Sequence, residues 1–313
     1  MRNLYLFFLP IFILSCNQNQ SSKFENEYSG GIIKKNIEAD VCVYAASAAG
    51  VLAATAAARD GYSVIIVEPT QTIGGLLASG FRMQQDVPDP QHLGGLTRDF
   101  YDKDVTLHIG IHAPTLRHYQ GAGEDNIAML QEYLDKYADL ITVVTNHRLV
   151  SVNVDNKIIS DAIFEYAPAD ENGVPAPQRT SDNLTKVKAK MFIDASYEGD
   201  LMAYSGVSYR VSRESREDYG ESLAGVVVSR KFPGVDPYKV KGDPNSGLLS
   251  PIFSDPIGEE GDSSRFFMSW NFKMAWEVNP TEQYPGIPIR SPKKKDEDVY
   301  ELLRRYEEAG YNT

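Results

Sequence analysis

Residues 39–44, Ala-Asp-Val-Cys-Val-Tyr, form an almost unbroken β-rich apolar run, the pattern of a strand covered on both faces. From Ser47 to Arg59 the chain is dense in alanine, the strongest helix former, and Gly61 stands just past the end as a stop. Residues 63–67, Ser-Val-Ile-Ile-Val, predict a second buried strand that ends in Glu68. Strand, tight turn, helix and strand within one short stretch make a βαβ unit. Further on, Asp125 is placed as a helix N-cap, with Ile127, Leu130, Leu134 and Tyr137 on one face. A strand follows at residues 141–144. Val150, Val152 and Val154 then alternate up to an Asp155-Asn156 turn, and residues 158–166 form the return strand. After a polar loop at 168–185, Val187, Ala189, Met191 and Ile193 alternate again and run into "FIDASYEGD". The pattern predicts a βαβ core interrupted by an antiparallel meander, with one strand returning to the core.

Beyond about Ser205 the pattern loosens into turns rich in Gly, Pro and aromatic residues. Near the end, Val299, Leu302, Leu303 and Tyr306 predict a helix with an apolar stripe, closed by Gly310. Because three residues follow Gly310, the second domain is expected to be partial. At the other end, Arg2 precedes an apolar run at residues 4–14, too short to span a bilayer, which reads as an export signal. Ile13-Leu14-Ser15-Cys16 resembles the bacterial lipoprotein box. The expected division is therefore a signal peptide at 1–15, a polar tether at 16–37 beginning with lipidated Cys16, a nucleotide-binding domain at 38–204 and part of a second domain at 205–313. The location implied is the bacterial cell envelope, periplasm or outer membrane. Arg2 has no second arginine beside it, so a twin-arginine route for a folded holoprotein is not indicated.

Composition narrows the function. The 313 residues carry 31 Lys+Arg against 43 Asp+Glu, and a net charge of −12 argues against nucleic acid as a partner. With Cys16 lipidated, Cys42 is the single remaining thiol, excluding an internal disulfide, an iron–sulfur cluster or a Cys-rich zinc site. His108, His112 and His118 lack neighbouring carboxylates, so no metal is expected there. Arg213, Glu214, Arg216, Glu217 and Asp218 read either as an ion-paired surface or as a source of a substrate-facing arginine. There is no Gly-x-Ser-x-Gly elbow, and the catalytic residues are not identified.

The candidate chemistry lies in the first βαβ turn. A dinucleotide fingerprint needs glycine for the tight turn, for close approach to the pyrophosphate and for helix–strand packing. Here those positions are Ala45, Ser47 and Gly50. A Cβ at a left-handed turn position costs about 1–2 kcal/mol, equivalent to about ten- to thirtyfold in affinity. The Ser47 hydroxyl is expected to donate to a phosphate oxygen. The helix N-terminus still points its amides and dipole at the phosphates, and Glu68 is placed to accept from a ribose hydroxyl. Gly74 and Gly75, in "IGGLLASG", read as a second close approach of backbone to ligand.

The stretches "DVCVYAASAAGVLAATAAARDGYSVIIVEPTQTIGGLLASG", "LGGLTRDFYD", "FIDASYEGDLMAYSGVSYRVSRESREDYGESLAG" and "SWNFKMAWEVNP" together resemble the bacterial FAD-dependent oxidoreductase family, some of whose members are called xanthan-lyase-like and which is grouped with heterodisulfide-reductase-type flavoproteins. The resemblance implies an α/β fold, a Rossmann-like FAD-binding domain with an inserted antiparallel β-meander and part of a second α+β domain. It implies FAD as cofactor, held by Ala45, Ala46, Ser47, Ala49 and Gly50 at the pyrophosphate and by Glu68 at the ribose. Gly74, Gly75, Asp194, Ala195 and Ser196 would lie beside the cofactor. The activity implied is hydride transfer from an organic, small-molecule or carbohydrate-derived substrate. A non-catalytic cell-surface binding protein that keeps the flavoprotein shell is the alternative reading, and carbohydrate lyase activity is a third.

Overall fold

The structure, a computed structural model, describes residues 30–78, 83–86, 90–109, 118–121, 123–171, 182–227, 232–250, 252–254, 258–266 and 297–311. Cys16, His112 and the "SWNFKMAWEVNP" stretch lie outside the described residues, as do the side chains of His108 and His118. The chain divides into two compact units, Met1–Tyr209 and Arg210–Thr313.

In the first unit β1 (Ile33–Tyr44), α1 (Ala48–Arg59) and β2 (Val64–Val67) form the expected βαβ unit. They are followed by β3 (Met83–Asp86), α2 (Gly95–Ile109), β4 (His118–Gly121), α3 (Gly123–Asp135) and β5 (Ile141–Val144). The chain then runs through β6 (His147–Asp155), β7 (Ile158–Tyr166), β8 (Leu184–Asp194) and the short α4 (Asp200–Tyr204). Six strands make one sheet in the order β5-β2-β1-β8-β7-β6, and β3 and β4 pair separately. The first four of the six are parallel, while β7 is antiparallel to both β8 and β6.

The alternation of side chains along β1 and β2 explains the layering. Val41, Val43, Val64 and Ile66 face α1, α2 and α3, where Val51, Phe100, Met129 and Leu130 close one core. Cys42, Tyr44, Ile65 and Val67 point the other way, into a core with Leu149 and Val152 of β6, Ala162 and Phe164 of β7 and Leu201 of α4. The meander thus covers the face of the parallel sheet that the helices leave open. Burial pushes the Cys42 thiol up to about 12, so it is an inert core residue.

Several elements differ from the sequence expectation, each for a local reason. β1 starts at Ile33, inside the stretch assigned to the tether, because β8 offers it a partner from Leu184 onward. Asp125 lies within the first turn of α3 and is not its N-cap, the helix having begun at Gly123. β6 does not alternate simply. A bulge between Leu149 and Ser151 turns Val150 into a separate small core with Ile163 and Leu184, and a second irregularity falls between Asn153 and the exposed Val154. The hairpin turn is carried by Asn156 and Lys157, both with positive φ (47° and 66°), the two-residue geometry that matches strand twist.

The second unit contains α5 (Arg216–Tyr219), with a Ser215/Asp218 capping box, and α6 (Glu297–Glu308). The apolar stripe expected on α6 is met in part: Leu302 and Tyr306 are half-buried and Tyr306 packs on Phe232 and Tyr311, while Leu303 is exposed and the most buried position of residues 300–311 is Arg305. Its guanidinium donates to the carbonyls of Asp236 and Tyr238 (3.0 and 2.6 Å) and to the Glu301 carboxylate (2.6 Å). Burial is tolerated because every side of the planar cation meets an acceptor.

Candidate functional site

The parallel strands β1, β2 and β8 all end on the same side of the sheet, at Tyr44, Val67 and Asp194, and the residues singled out from the sequence cluster there. Tyr44 and Val67 are partners in one pairing, Tyr44 and Asp194 in the other. The carboxyl ends of parallel strands, where the order of connection reverses, are where α/β sheets bind ligands.

Ala45 carries φ = 74° and is buried, so the bend that leaves β1 is left-handed and an alanine holds it. Its N–H donates to the Val67 carbonyl (2.8 Å), which fixes the bend to the end of β2. The Ala46 N–H donates to Glu68 Oε2 (2.5 Å), and the Ala46 carbonyl accepts from the Gly74 N–H (2.7 Å). Ser47 caps α1, its Oγ accepting from the Gly50 N–H (3.2 Å) and donating its one proton to the Ala195 carbonyl (2.8 Å). Gly50 has no room for a side chain. A Cβ there would overlap the Ala45 carbonyl oxygen and press on the Ala195 Cβ at 3.2 Å. The loop 45–50 is therefore stitched to the segments that begin at Glu68, Gly74 and Ala195.

Three of the residues singled out also have roles within the protein. The Ser47 hydroxyl donates its proton to the Ala195 carbonyl and so ties the loop to the end of β8. Gly74 and Gly75 are glycines because of protein packing, not only because of a ligand. A Cβ on Gly74 would overlap Ala78, and one on Gly75 would overlap the hydroxyl of Tyr197. Within the loop, the amides of Ala46 and Gly50 are already committed. The donor still available to a ligand is the first turn of α1, where Ala49 is exposed and its N–H has no acceptor inside the helix.

Glu68 is buried and its carboxylate accepts three hydrogen bonds: from the Ala46 N–H, from the Thr70 N–H (2.8 Å) and from Thr70 Oγ1 (2.6 Å). Oε1 takes both Thr70 donors, while Oε2 takes one and keeps a second lone pair for a hydroxyl. Its main chain is held by Val144 and His147, with N–H to the Val144 carbonyl at 2.8 Å and carbonyl to the His147 N–H at 2.9 Å. On the β8 side, Asp194 Oδ1 accepts from the Ser196 N–H and Oγ (3.0 and 2.7 Å), and Oδ2 from the Met202 N–H (2.9 Å). Asp194 and Ser196 therefore shape the turn into α4. Burial, reinforced by the negative charges of Glu198 and Asp194, raises the Asp200 carboxyl above its ordinary range.

Thr70 and Tyr197 were not read from the sequence. A threonine two residues past an acidic strand end is a recognisable local hydrogen-bonding pattern, whereas nothing in sequence places Tyr197 against Gly75. The charged run resolves into pairing: Arg210 bridges to Asp218 (2.9 Å) and Glu214 (3.8 Å), Arg216 bridges to Glu260 (3.3 Å), and Arg213 donates to the Gly225 carbonyl (3.0 Å). Among the described residues, no group of three or more His, Cys, Asp or Glu is arranged to hold a metal ion.

The donor set suits a dinucleotide carrying a diphosphate. The N-terminus of α1, exposed at Ala49, offers amides that would suit an anion, a partly unfilled carboxylate stands at the end of β2, and Gly50 lets α1 pack close to the strand. A family model described as FAD dependent oxidoreductase matches residues 40–313. No curated protein matches the chain. Among solved structures, p-nitrophenol 4-monooxygenase PnpA from Pseudomonas putida DLL-E4 is similar at 14% identity and a TM-score of 0.38, over 58% of this chain and 46% of that one. The 3-ketosteroid dehydrogenase of Rhodococcus jostii RHA1 is similar at 16% identity and a TM-score of 0.35, over 51% of this chain and 45% of that one. THI4 of Thermovibrio ammonificans is similar at 17% identity and a TM-score of 0.36, over 60% and 74%. The chain spans 34%, 46% and 45% of the length of the first three solved structures it matches. The family model covers the βαβ unit from Asp40 onward, the meander and the second unit, its cofactor is FAD, and the chain belongs to the FAD dependent oxidoreductase family.

Proposed function

We propose that the chain is an FAD-dependent oxidoreductase that takes a hydride from an organic substrate, small or carbohydrate-derived, and belongs to the xanthan-lyase-like branch of its family. The observation that carries this reading is the convergence of the α1 N-terminus, Glu68 and the 194–196 turn at the ends of three adjacent parallel strands. FAD, when bound, supplies the two-electron acceptor. The chain supplies grip and orientation. The first turn of α1 faces the pyrophosphate with its amides and the positive end of its dipole. Glu68 Oε2 accepts from a ribose hydroxyl, while its bonds to Ala46 and Thr70 keep the carboxylate aimed. Asp194, through Ser196 and Met202, keeps the β8 turn open beside that position.

The purified full chain is expected to be yellow or to turn yellow on reconstitution, with absorbance near ~450 nm from its bound flavin. Protein that stays colourless and does not retain added FAD on gel filtration overturns the reading and leaves the non-catalytic shell. We further propose lipid anchoring at Cys16 and a place in the cell envelope, supported by the 4–14 apolar run and the Leu14-Ser15-Cys16 box. Metabolic labelling with a fatty acid should mark the wild type and not Cys16→Ser.

A further inference from the structure

The Gly74–Leu77 turn is held differently on its two sides. Behind it, the fully buried Asn126 of α3 donates Nδ2–H to the Leu77 carbonyl (2.9 Å), and the Gly74 N–H is tied to Ala46. In front, the Leu76 N–H donates to the hydroxyl of Tyr197 (2.7 Å), whose phenol fills the space beside the Gly75 Cα. Tyr197 is 60% exposed, so its ring is held chiefly at the tip. Its backbone, by contrast, sits in a fixed loop. The Ala195 N–H reaches the Tyr44 carbonyl (2.9 Å), the Ala195 carbonyl accepts from Ser47, and the Gly199 N–H reaches Ser196 Oγ (3.0 Å). The phenol contact joins the 195–199 loop to the 74–77 turn, and a side-chain rotation undoes it with both backbones unmoved. Such a rotamer change in an exposed residue takes picoseconds to nanoseconds.

We propose that Tyr197 is a competing latch: its phenol covers the Gly75 face and holds the Leu76 N–H, and it swings out when FAD enters, passing that N–H to an acceptor oxygen of the cofactor. The inference rests on the reading of this cleft as an FAD site and adds a residue that opposes binding. The Leu76 amide exchanges one acceptor for another, so opening costs a single neutral hydrogen bond at an exposed position. A conformation that must open before it binds lowers apparent affinity by the fraction already open. Removing the latch therefore strengthens binding. A residue that supported the cofactor would do the reverse.

The test compares full-length wild type, Tyr197→Phe and Tyr197→Ala by stopped-flow quenching of FAD fluorescence, with far-UV circular dichroism as the check on folding. Tyr197→Phe keeps the ring and deletes the acceptor. It is expected to raise the FAD association rate, and to tighten Kd, by about two- to tenfold, the range one neutral hydrogen bond spans, with the dissociation rate unchanged. Tyr197→Ala is expected to move in the same direction and serves if the Phe variant misfolds. Equal or weaker affinity in a folded variant, or a change confined to dissociation, overturns the latch while the FAD reading stands on the wild-type result. If wild type and both variants all ignore FAD, the FAD reading fails and the latch with it.

Discussion

Ala45 shows how one residue can carry a cost without losing its place. At φ = 74° a Cβ is strained by about 1–2 kcal/mol, yet the bend persists because Val67, Glu68 and Gly74 bind the main chain on both sides of it. Since those partners belong to the protein, the strain is a property of the folded chain whether or not a ligand is present. Ala45→Gly removes the strain and gives back part of the gain through the greater freedom of glycine in the unfolded state, a net stabilisation of about 0.5–1 kcal/mol. The expected result is a rise in Tm of a few degrees by calorimetry, with Kd for FAD within about twofold. A tenfold tightening would show instead that the strain is released only on binding. The bonded bend therefore predicts that the methyl groups of this loop weigh on stability more than on affinity, and the calorimetric and binding comparison decides between this and the ten- to thirtyfold loss expected from the sequence. Ser47 makes the same point, because its hydroxyl type was legible and the identity of its acceptor was not.

The parallel strands are joined at their far end by a side-chain clamp. Asp40 of β1 accepts from the Ser63 N–H and Oγ (3.0 and 2.8 Å), just before β2, and from Lys190 of β8 (2.7 Å). Lys190 first, and then the Ser63 donors, hold the Asp40 carboxyl down at about 2, against 3.8 for an ordinary aspartate. The folded state therefore binds its proton less readily than the unfolded chain. This stability is complete above the unfolded pKa and is lost as pH falls from about 4 to about 2. Chemical denaturation across that interval should show the wild type losing stability faster than Asp40→Asn, whose neutral side chain has no such acid-sensitive part. Equal slopes would mean that the clamp adds nothing. Strands β1 and β2 and helix α1 were legible because both faces of the strands are covered and the helix is alanine-rich. Helix α2 was not, since Phe100 is its single buried residue among positions 95–103 and gives no repeating stripe.

In the second unit, order depends on a buried cation. Arg305 gathers Asp236, Tyr238, Lys239 and Glu301, while Phe232, Tyr306 and Tyr311 stack at centroid separations of 5.0–5.3 Å. Replacing Arg305 with Met keeps the length of the stem but removes the donor shared by Asp236, Tyr238 and Glu301, although Asp236 keeps the Tyr238 and Gly242 N–H groups and Glu301 keeps Arg304, so the unit is expected to lose stability. Hydrogen exchange should accelerate across residues 232–250 in Arg305→Met, and Arg305→Lys should restore little, because an ammonium lacks the planar fork. Unchanged protection would mean that Arg305 is incidental to this unit. From the sequence, α6 was expected to bury an apolar stripe. A helical period shows which residues share a face and is blind to carbonyls that a distant turn aims at it.

The sequence by itself determined what depends on neighbours in the chain: the βαβ order, a hairpin turn at Asn156 to within one residue, the acidic end of β2 and the helix that opens at Ser47. These follow from local propensity, periodicity and turn chemistry, which act over a few residues. The tertiary structure decided which polar groups satisfy one another across gaps of more than twenty positions, including Glu68 on Ala46, Ser47 on Ala195 and Tyr197 on Leu76. A donor pairs with any acceptor oxygen that the fold brings within reach, so the choice of partner is written in the packing of the strands and helices that carry them.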